Sequence, residues 1–281
     1  MNPRTLFQRH VALPPEHGAW VFLLGPLLIG LLAAGQVRVP SIYLVVAAVA
    51  GFLIRQPVTI VVKALSGRRS RESLPAAGFW IAVYGGIAAI HVLGLVLRGF
   101  GYVLWLIVPG LPVLAYHLYL ISRRAERRQW LVEIAAAGAL ALSATAAYWI
   151  GVGRPDPVGW WLWVLGWAQS VAAILYAYLR LEQRALEAAP AMAARFRMGR
   201  TALAVASGNG IAVSFLCATG ALPLWLFLPY LIQVAETLWG VTHPAVGARA
   251  KAIGYRQLRI SIVFTVLFVL AWWRGVPGAG S

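Results

Sequence analysis

The sequence predicts an all-α fold, a polytopic membrane helical bundle of nine transmembrane helices. Three observations predict it. Hydrophobic residues make up 61% of the chain and charged residues only 11%, whereas a soluble globular domain carries about 25% charged residues. Nine apolar runs reach the roughly 20 residues that a helix needs to cross a bilayer. The gaps between the runs alternate between short Gly/Pro turns and basic segments.

The runs cover residues 18–36, 41–64, 77–97, 101–121, 130–150, 158–180, 200–219, 221–241 and 257–273. After the first, third, fifth and seventh come AAGQVRVP, LRGFG, GVGRPDPVG and TGALP, stretches whose Gly and Pro residues favour turns. After the second, fourth, sixth and eighth come basic segments. Counted by side, 19 of the 24 Lys and Arg residues fall on one face of the expected bundle. Four fall on the other (Arg38, Arg98, Arg154 and Arg274), and Arg55 lies inside a run. The positive-inside rule then places the N-terminal segment 1–17 in the cytoplasm and the tail 274–281 outside. The expectation is one integral domain in a bacterial cytoplasmic membrane, its first run a retained span rather than a cleaved signal. Topology thus accounts for the net charge of +16, and no nucleic-acid partner is expected. Cys217 is the one cysteine and cannot form an intrachain disulfide. P-loop, dinucleotide, nucleophile-elbow and zinc motifs are absent, so no metal ligands are assigned and no cofactor is identified.

Polar residues inside the runs carry the functional expectation. An ionisable group at bilayer depth costs several kcal/mol and marks a candidate site. Arg55, Thr59 and Lys63 share one helix face at i, i+4 and i+8, with Gln56 beside them and Pro57 expected to kink the helix. The eighth run offers Gln233, Glu236 and Thr237 on one face, followed by His243. The sixth ends in LYAYLRLEQR, bringing Tyr176, Tyr178, Arg180, Glu182 and Arg184 to the basic side. The fourth offers His117 between Tyr116 and Tyr119, and the fifth begins near Glu133. Gln169 and Asn209 read as interhelical hydrogen bonds, and GWWLWVLGW as an interfacial aromatic belt. Arg55 is expected to face the bundle interior and to pair with Glu236. The whole implies a polar cavity open to the cytoplasm, walled by the first, second, fourth, sixth and eighth helices. Arg55, Gln56, Lys63, His117, Tyr178, Arg180 and Arg184 are the candidate ligand-binding residues, suited to an anionic head because Arg and Lys bind phosphate.

The segment PPEHGAW, Pro14 to Trp20, leads into the first run. Pro14 and Pro15 fix an extended approach, Glu16 suits a helix N-terminus and Trp20 an interface. His17 is not needed for any of this. A Glu16–His17 pair beside a basic cavity could do acid–base work, so Glu16, His17 and Glu236 are the catalytic candidates. PPEHGAWVFLLGPLLIGLL followed by FLIRQPVTIVVK resembles the YwiC-like family of bacterial integral membrane proteins, with a looser likeness at YLRLEQR and AIGYRQLRIS. That resemblance implies a multipass membrane protein. In architecture alone, nine spans with polar segments at the basic ends of the second and sixth are similar to UbiA-type intramembrane prenyltransferases. Those enzymes carry aspartate-rich motifs there that hold magnesium on a prenyl diphosphate. This chain has Arg55, Gln56 and Lys63, then Arg180, Glu182 and Arg184, in those places, and its one aspartate, Asp156, lies on the far side.

The first functional expectation is therefore a protein surrounded by membrane lipids that binds an anionic isoprenoid or lipid headgroup, as a UbiA-like transferase without the metal motifs would. The alternatives are an anion or small-molecule transporter and a quinone- or haem-associated subunit, the last from His17, His117 and His243. The topology is directly testable: a periplasm-dependent phosphatase reporter is expected to be active when fused after Ser281 and inactive when fused before Met1.

Overall fold

The computed structural model describes residues 6–14, 19–125 and 129–275. Among these, every regular element is a helix. A helical turn at Arg9–Ala12 precedes nine helices: α1 (Ala19–Ala33), α2 (Val39–Leu65), α3 (Leu74–Leu97), α4 (Gly110–Ser122), α5 (Trp130–Val152), α6 (Pro157–Gln183), α7 (Met192–Ala218), α8 (Phe227–Thr242) and α9 (Ala250–Gly275). Counting the 3-10 turns that lead into α4 and α8, eight of the nine are long and apolar enough to cross a membrane. The apolar part of α1, Trp20–Ala33, is shorter.

The nine runs correspond one to one with the nine helices, but their bounds differ in instructive ways. The fourth run begins as a 3-10 helix at Gly101–Ile107, and α4 starts only at Gly110. Pro109 and Pro112 lack the N–H groups that a continuous α-helix would aim at the Trp105 and Val108 carbonyls. The eighth run likewise starts with a 3-10 turn, Leu224–Leu226, after Pro223. Conversely, α7 and α9 extend well into the basic segments, so Arg195, Arg197, Lys251, Arg256 and Arg259 are helical rather than loop residues. That extension matters for the site described below.

Packing divides the bundle around α1. The pair α2–α3 packs together and, with α4, against α5; α6, α7, α8 and α9 form the other group; α1 touches α5, α6 and α9 and meets α2 more lightly. Close approach at the α1–α5 seam depends on two glycines. A Cβ on Gly30 would stand 2.1 Å from the Ala144 carbonyl oxygen, and one on Gly151 would stand 2.3 Å from the Ala34 Cβ. Small residues let helix backbones meet closely where lipid supplies no hydrophobic drive for association. The α5–α6 hairpin is closed by Gly153 at φ +85° and by the Asp156 side chain, which accepts the Val158 N–H at 2.9 Å.

The α5–α6 contact also corrects the aromatic-belt expectation. Trp160 and Trp161 are exposed, as belt residues should be. Trp163 and Trp167 instead stack on each other at 5.4 Å and donate to the Gly138 and Ile134 carbonyls, both at 2.9 Å. A one-in-four spacing on a helix places them on a single face, and that face meets α5. Toward the non-basic end, Ile29, Leu165, Tyr230, Phe264 and Phe268 belong to one buried apolar cluster.

Gly30→Leu is expected to force α1 from α5 and cost about 3 kcal/mol or more, as overpacking does. Thermal unfolding in detergent should register it as a clear drop in Tm. Gly51→Leu, where nothing lies within 4 Å of the added Cβ, should leave the Tm nearly unchanged.

Candidate functional site

Three helices converge at their basic ends on one carboxylate. Tyr176 of α6, Glu236 of α8 and Arg256 of α9 lie seven, six and six residues from those ends, about 9–10 Å along the axis at 1.5 Å per residue. Arg256 binds Glu236 through both oxygens, Nε to Oε1 at 2.6 Å and an Nη to Oε2 at 2.7 Å. The Tyr176 hydroxyl donates to Oε1 at 2.7 Å. The Glu236 side chain is 9% exposed and that of Arg256 34%. The Arg256 guanidinium also sits 3.5 Å from the Trp239 ring centroid, a cation–π contact that helps hold a charge away from water.

The Arg180 guanidinium lies on the same tryptophan, 5.4 Å from its centroid, but its hydrogen bonds go elsewhere. It donates to the Gly240 carbonyl at 2.8 Å, the His243 carbonyl at 2.7 Å and Gln183 Oε1 at 2.8 Å. Gln183 Nε2 donates to Gly240 at 3.0 Å, and Arg195 donates to the Thr242 carbonyl at 2.7 Å. A helix leaves its last carbonyls unsatisfied, with a partial negative charge there. Arg180, Gln183 and Arg195 satisfy those carbonyls at the end of α8. Arg180 therefore caps the end of α8.

Beside the ion pair are two voids. The smaller, of about 20 Å³, is lined by Gln169, Tyr176, Gln233, Glu236, Gln257 and Ser261, among others, and is large enough for about one water. The larger, of about 110 Å³, lies among α1, α5, α6 and α9, with Val21, Phe22, Glu133, Ile174, Gln257 and Leu258 in its wall. Both are lined by Ala173, Gln257 and Ser261. The Gln233 side chain is 7% exposed, and its Oε1 has no hydrogen-bond partner.

The sequence-derived candidates separate into two groups. Glu16 and His17 fall outside the described residues. Arg55, Gln56 and Lys63 on α2 and His117 on α4 lie in the group around α3. The Arg55 guanidinium stands 5.1 Å from the Phe52 ring, and Phe52 packs against Trp20 of α1. Gln56 Nε2 donates to the His10 carbonyl at 3.0 Å, tying the N-terminal turn to α2. Lys63 occupies the last turn of α2, and His117 is half-buried. On the α6 side, the Tyr178 hydroxyl donates to Glu133 at 2.7 Å, and Arg184 is exposed. The expected Arg55–Glu236 pair is not formed: the Glu236 carboxylate binds Arg256 and Tyr176, and α2 does not pack against α8. Equal depth identified compatible residues but not adjacent helices. Arg256, Trp239, Gln257 and Ser261 are the residues that sequence reasoning missed. Gln257 and Ser261 repeat at i, i+4 next to Arg256 in GYRQLRIS, the signal that could have found them once α9 is extended backward.

Removing one member of a buried pair strands the other charge, at about 3–5 kcal/mol. Arg256→Met, which strands the nearly buried Glu236, is expected to destabilise by about 3 kcal/mol, and Glu236→Gln by about 1–2 kcal/mol because Arg256 is 34% exposed. The double variant should lose less than the sum in the same unfolding assay, which is the signature of direct coupling.

Comparisons with known proteins bear on the first half of the chain. Residues 13–148 match the family described as YwiC-like protein. A YwiC protein of Bacillus subtilis (strain 168) is 27% identical over 152 residues, 54% of this chain and 59% of that protein. No solved structure matches. The matched stretch runs from the PPEHGAW segment into α5, and over it the chain is similar to the YwiC-like family.

Proposed function

We propose that this multipass protein sits in the bacterial cytoplasmic membrane, N-terminus inside, and binds the polar head of an isoprenoid-type lipid. The chamber among α1, α5, α6 and α9 receives that head. The observation that carries this reading is the wall of the chamber, which sets Gln257, Ser261 and Glu133 among Val21, Phe22, Ile174 and Leu258. An amphiphilic head with a small polar edge matches such a wall, since ligand sites are mostly apolar with a few placed polar groups. The chamber, of about 110 Å³, is smaller than the apolar cavity of about 150 Å³ that admits a benzene ring, so in this reading it takes the polar edge of a compact head while the rest lies between helices. The 19-to-4 distribution of basic residues supports the orientation.

The head is uncharged in this reading. Glu236 and Arg256 neutralise each other, and Arg180 is bonded to the end of α8. The groups that remain in the wall favour a hydroxyl, quinone or quinol over the isoprenoid phosphate that the basic residues first suggested. A UbiA-like transfer would need a diphosphate held where α2 and α6 end. With Arg180 occupied there, binding is the activity taken.

Native mass spectrometry of the detergent-purified chain tests this, wild type beside Ala177→Phe, which fills the chamber. A stoichiometric isoprenoid quinone or alcohol in the wild type, absent from the variant, is expected. A retained isoprenoid phosphate would overturn the uncharged head. Bulk phospholipid alone, equal in both proteins, would overturn the chamber as a ligand site.

A further inference from the structure

We propose that residues 6–14 form a re-entrant segment bedded in the lipid leaflet at the basic end of the bundle, seated on α2 and α3 and covered by lipid rather than water. The sequence expectation placed this stretch in the cytoplasm. The proposal stands apart from the chamber and its ligand. It comes from where the stretch finds its hydrogen bonds. Trp80 Nε1 donates to the Leu6 carbonyl at 3.1 Å, Gln56 Nε2 to the His10 carbonyl at 3.0 Å and the Tyr84 hydroxyl to the Ala12 carbonyl at 3.0 Å. Gln56 lies nine residues before the end of α2, and Trp80 and Tyr84 lie six and ten residues after the start of α3. At 1.5 Å per residue they stand about 13, 9 and 15 Å inside their helix ends. The 27 residues of α2 span about 40 Å against a hydrocarbon core of roughly 30 Å. Centred on that core, α2 projects only about 5 Å at each end, so all three donors fall below the boundary.

The side chains of the stretch agree. Val11 is buried in a cluster with Ile60, Ala76 and Ala77. Phe7 and Leu13 point outward, 64% and 41% exposed, and Phe7 lies edge-on to Phe79 and Trp80. Facing water, these would be bare apolar surface; facing acyl chains they cost nothing. Arg9 is also exposed, and its length lets the charge reach the headgroups. Outward Phe and Leu beside a snorkelling cation is the pattern of an interfacial segment, bedded about 5–10 Å deep. The start of α1 is deep as well. Trp20 packs on Phe52, thirteen residues inside the end of α2, with ring centroids 4.8 Å apart. The 15 residues of α1 span only about 22 Å. Backbone carbonyls away from water need protein donors. Gln56, Trp80 and Tyr84 are therefore positioning residues for the segment, and Gln56 serves it rather than a bound head.

The test is spin-label depth measurement on the full chain in vesicles of phosphatidylethanolamine and phosphatidylglycerol, in a Cys217→Ser background. Labels at Phe7→Cys and Leu13→Cys are compared with one at Leu93→Cys, exposed on α3, and one at Ser70→Cys, exposed in the basic turn. The first two are expected to collide with dissolved oxygen and to lose collisions with a water-soluble nickel chelate, as the Leu93 label does. The Ser70 label should show the reverse. Chelate collisions at Phe7 and Leu13 equal to those at Ser70 would overturn the proposal. Tyr84→Phe then removes one donor, and is expected to raise chelate collisions at Leu13 while leaving those at Leu93 unchanged. No change at Leu13 would overturn the positioning role of Tyr84. The four-label comparison decides the embedding even if that variant does not fold.

Discussion

The arrangement of α6, α8 and α9 depends on where one carboxylate finds its counter-charge. Glu236 lies well inside the bundle, where an unpaired charge would cost several kcal/mol. Arg256 meets it through two parallel N–H···O bonds, the geometry for which a guanidinium is suited. Tyr176 adds a third donor to the same carboxylate. Each partner comes from a different helix, so the pair fixes rotation and depth for three helices at once. Gly240 lets the contact close, because a Cβ there would stand 2.4 Å from the Tyr176 ring. The smaller void borders this junction through Tyr176 and Glu236.

The basic end of the bundle has a second use for its cations. The excess of Lys and Arg is the expected signature of topology, but Arg180 and Arg195 also complete the end of α8 by bonding its terminal carbonyls. In water such carbonyls would be hydrated. Near a membrane boundary they need protein donors, since an unsatisfied backbone group there is expensive. One residue class therefore serves orientation and capping together, and a count of charges by side cannot separate them.

The number and order of helices were legible in the sequence because bilayer thickness sets the length of an apolar run. Helix faces were legible too, as Gln233, Glu236 and Thr237 show by lining one void. Adjacency was not. Arg55 and Glu236 have matching depth and opposite charge, yet α2 packs with α3, α4 and α5, and α8 with α6, α7 and α9. Nothing in a one-dimensional pattern states which antiparallel helices become neighbours. Arg256 was hidden for a different reason. It precedes the apolar run, so hydropathy assigned it to a loop, whereas the helix starts six residues earlier, at Ala250.

The same physics ties the chamber to its closed opposite half. A polar void in a membrane protein is tolerable only if its groups bond among themselves, to water or to a ligand. Toward the non-basic end, Leu165, Tyr230, Phe264 and Phe268 belong to the buried apolar cluster, and the Tyr230 hydroxyl is itself bonded to the Leu165 carbonyl at 2.9 Å. A solute crossing the membrane would need polar groups on both sides of the void. A lipid head needs them only at its own depth, with apolar surroundings for its chain. In the proposed reading, Gln169, Gln233, Gln257 and Ser261 serve a head at that one depth.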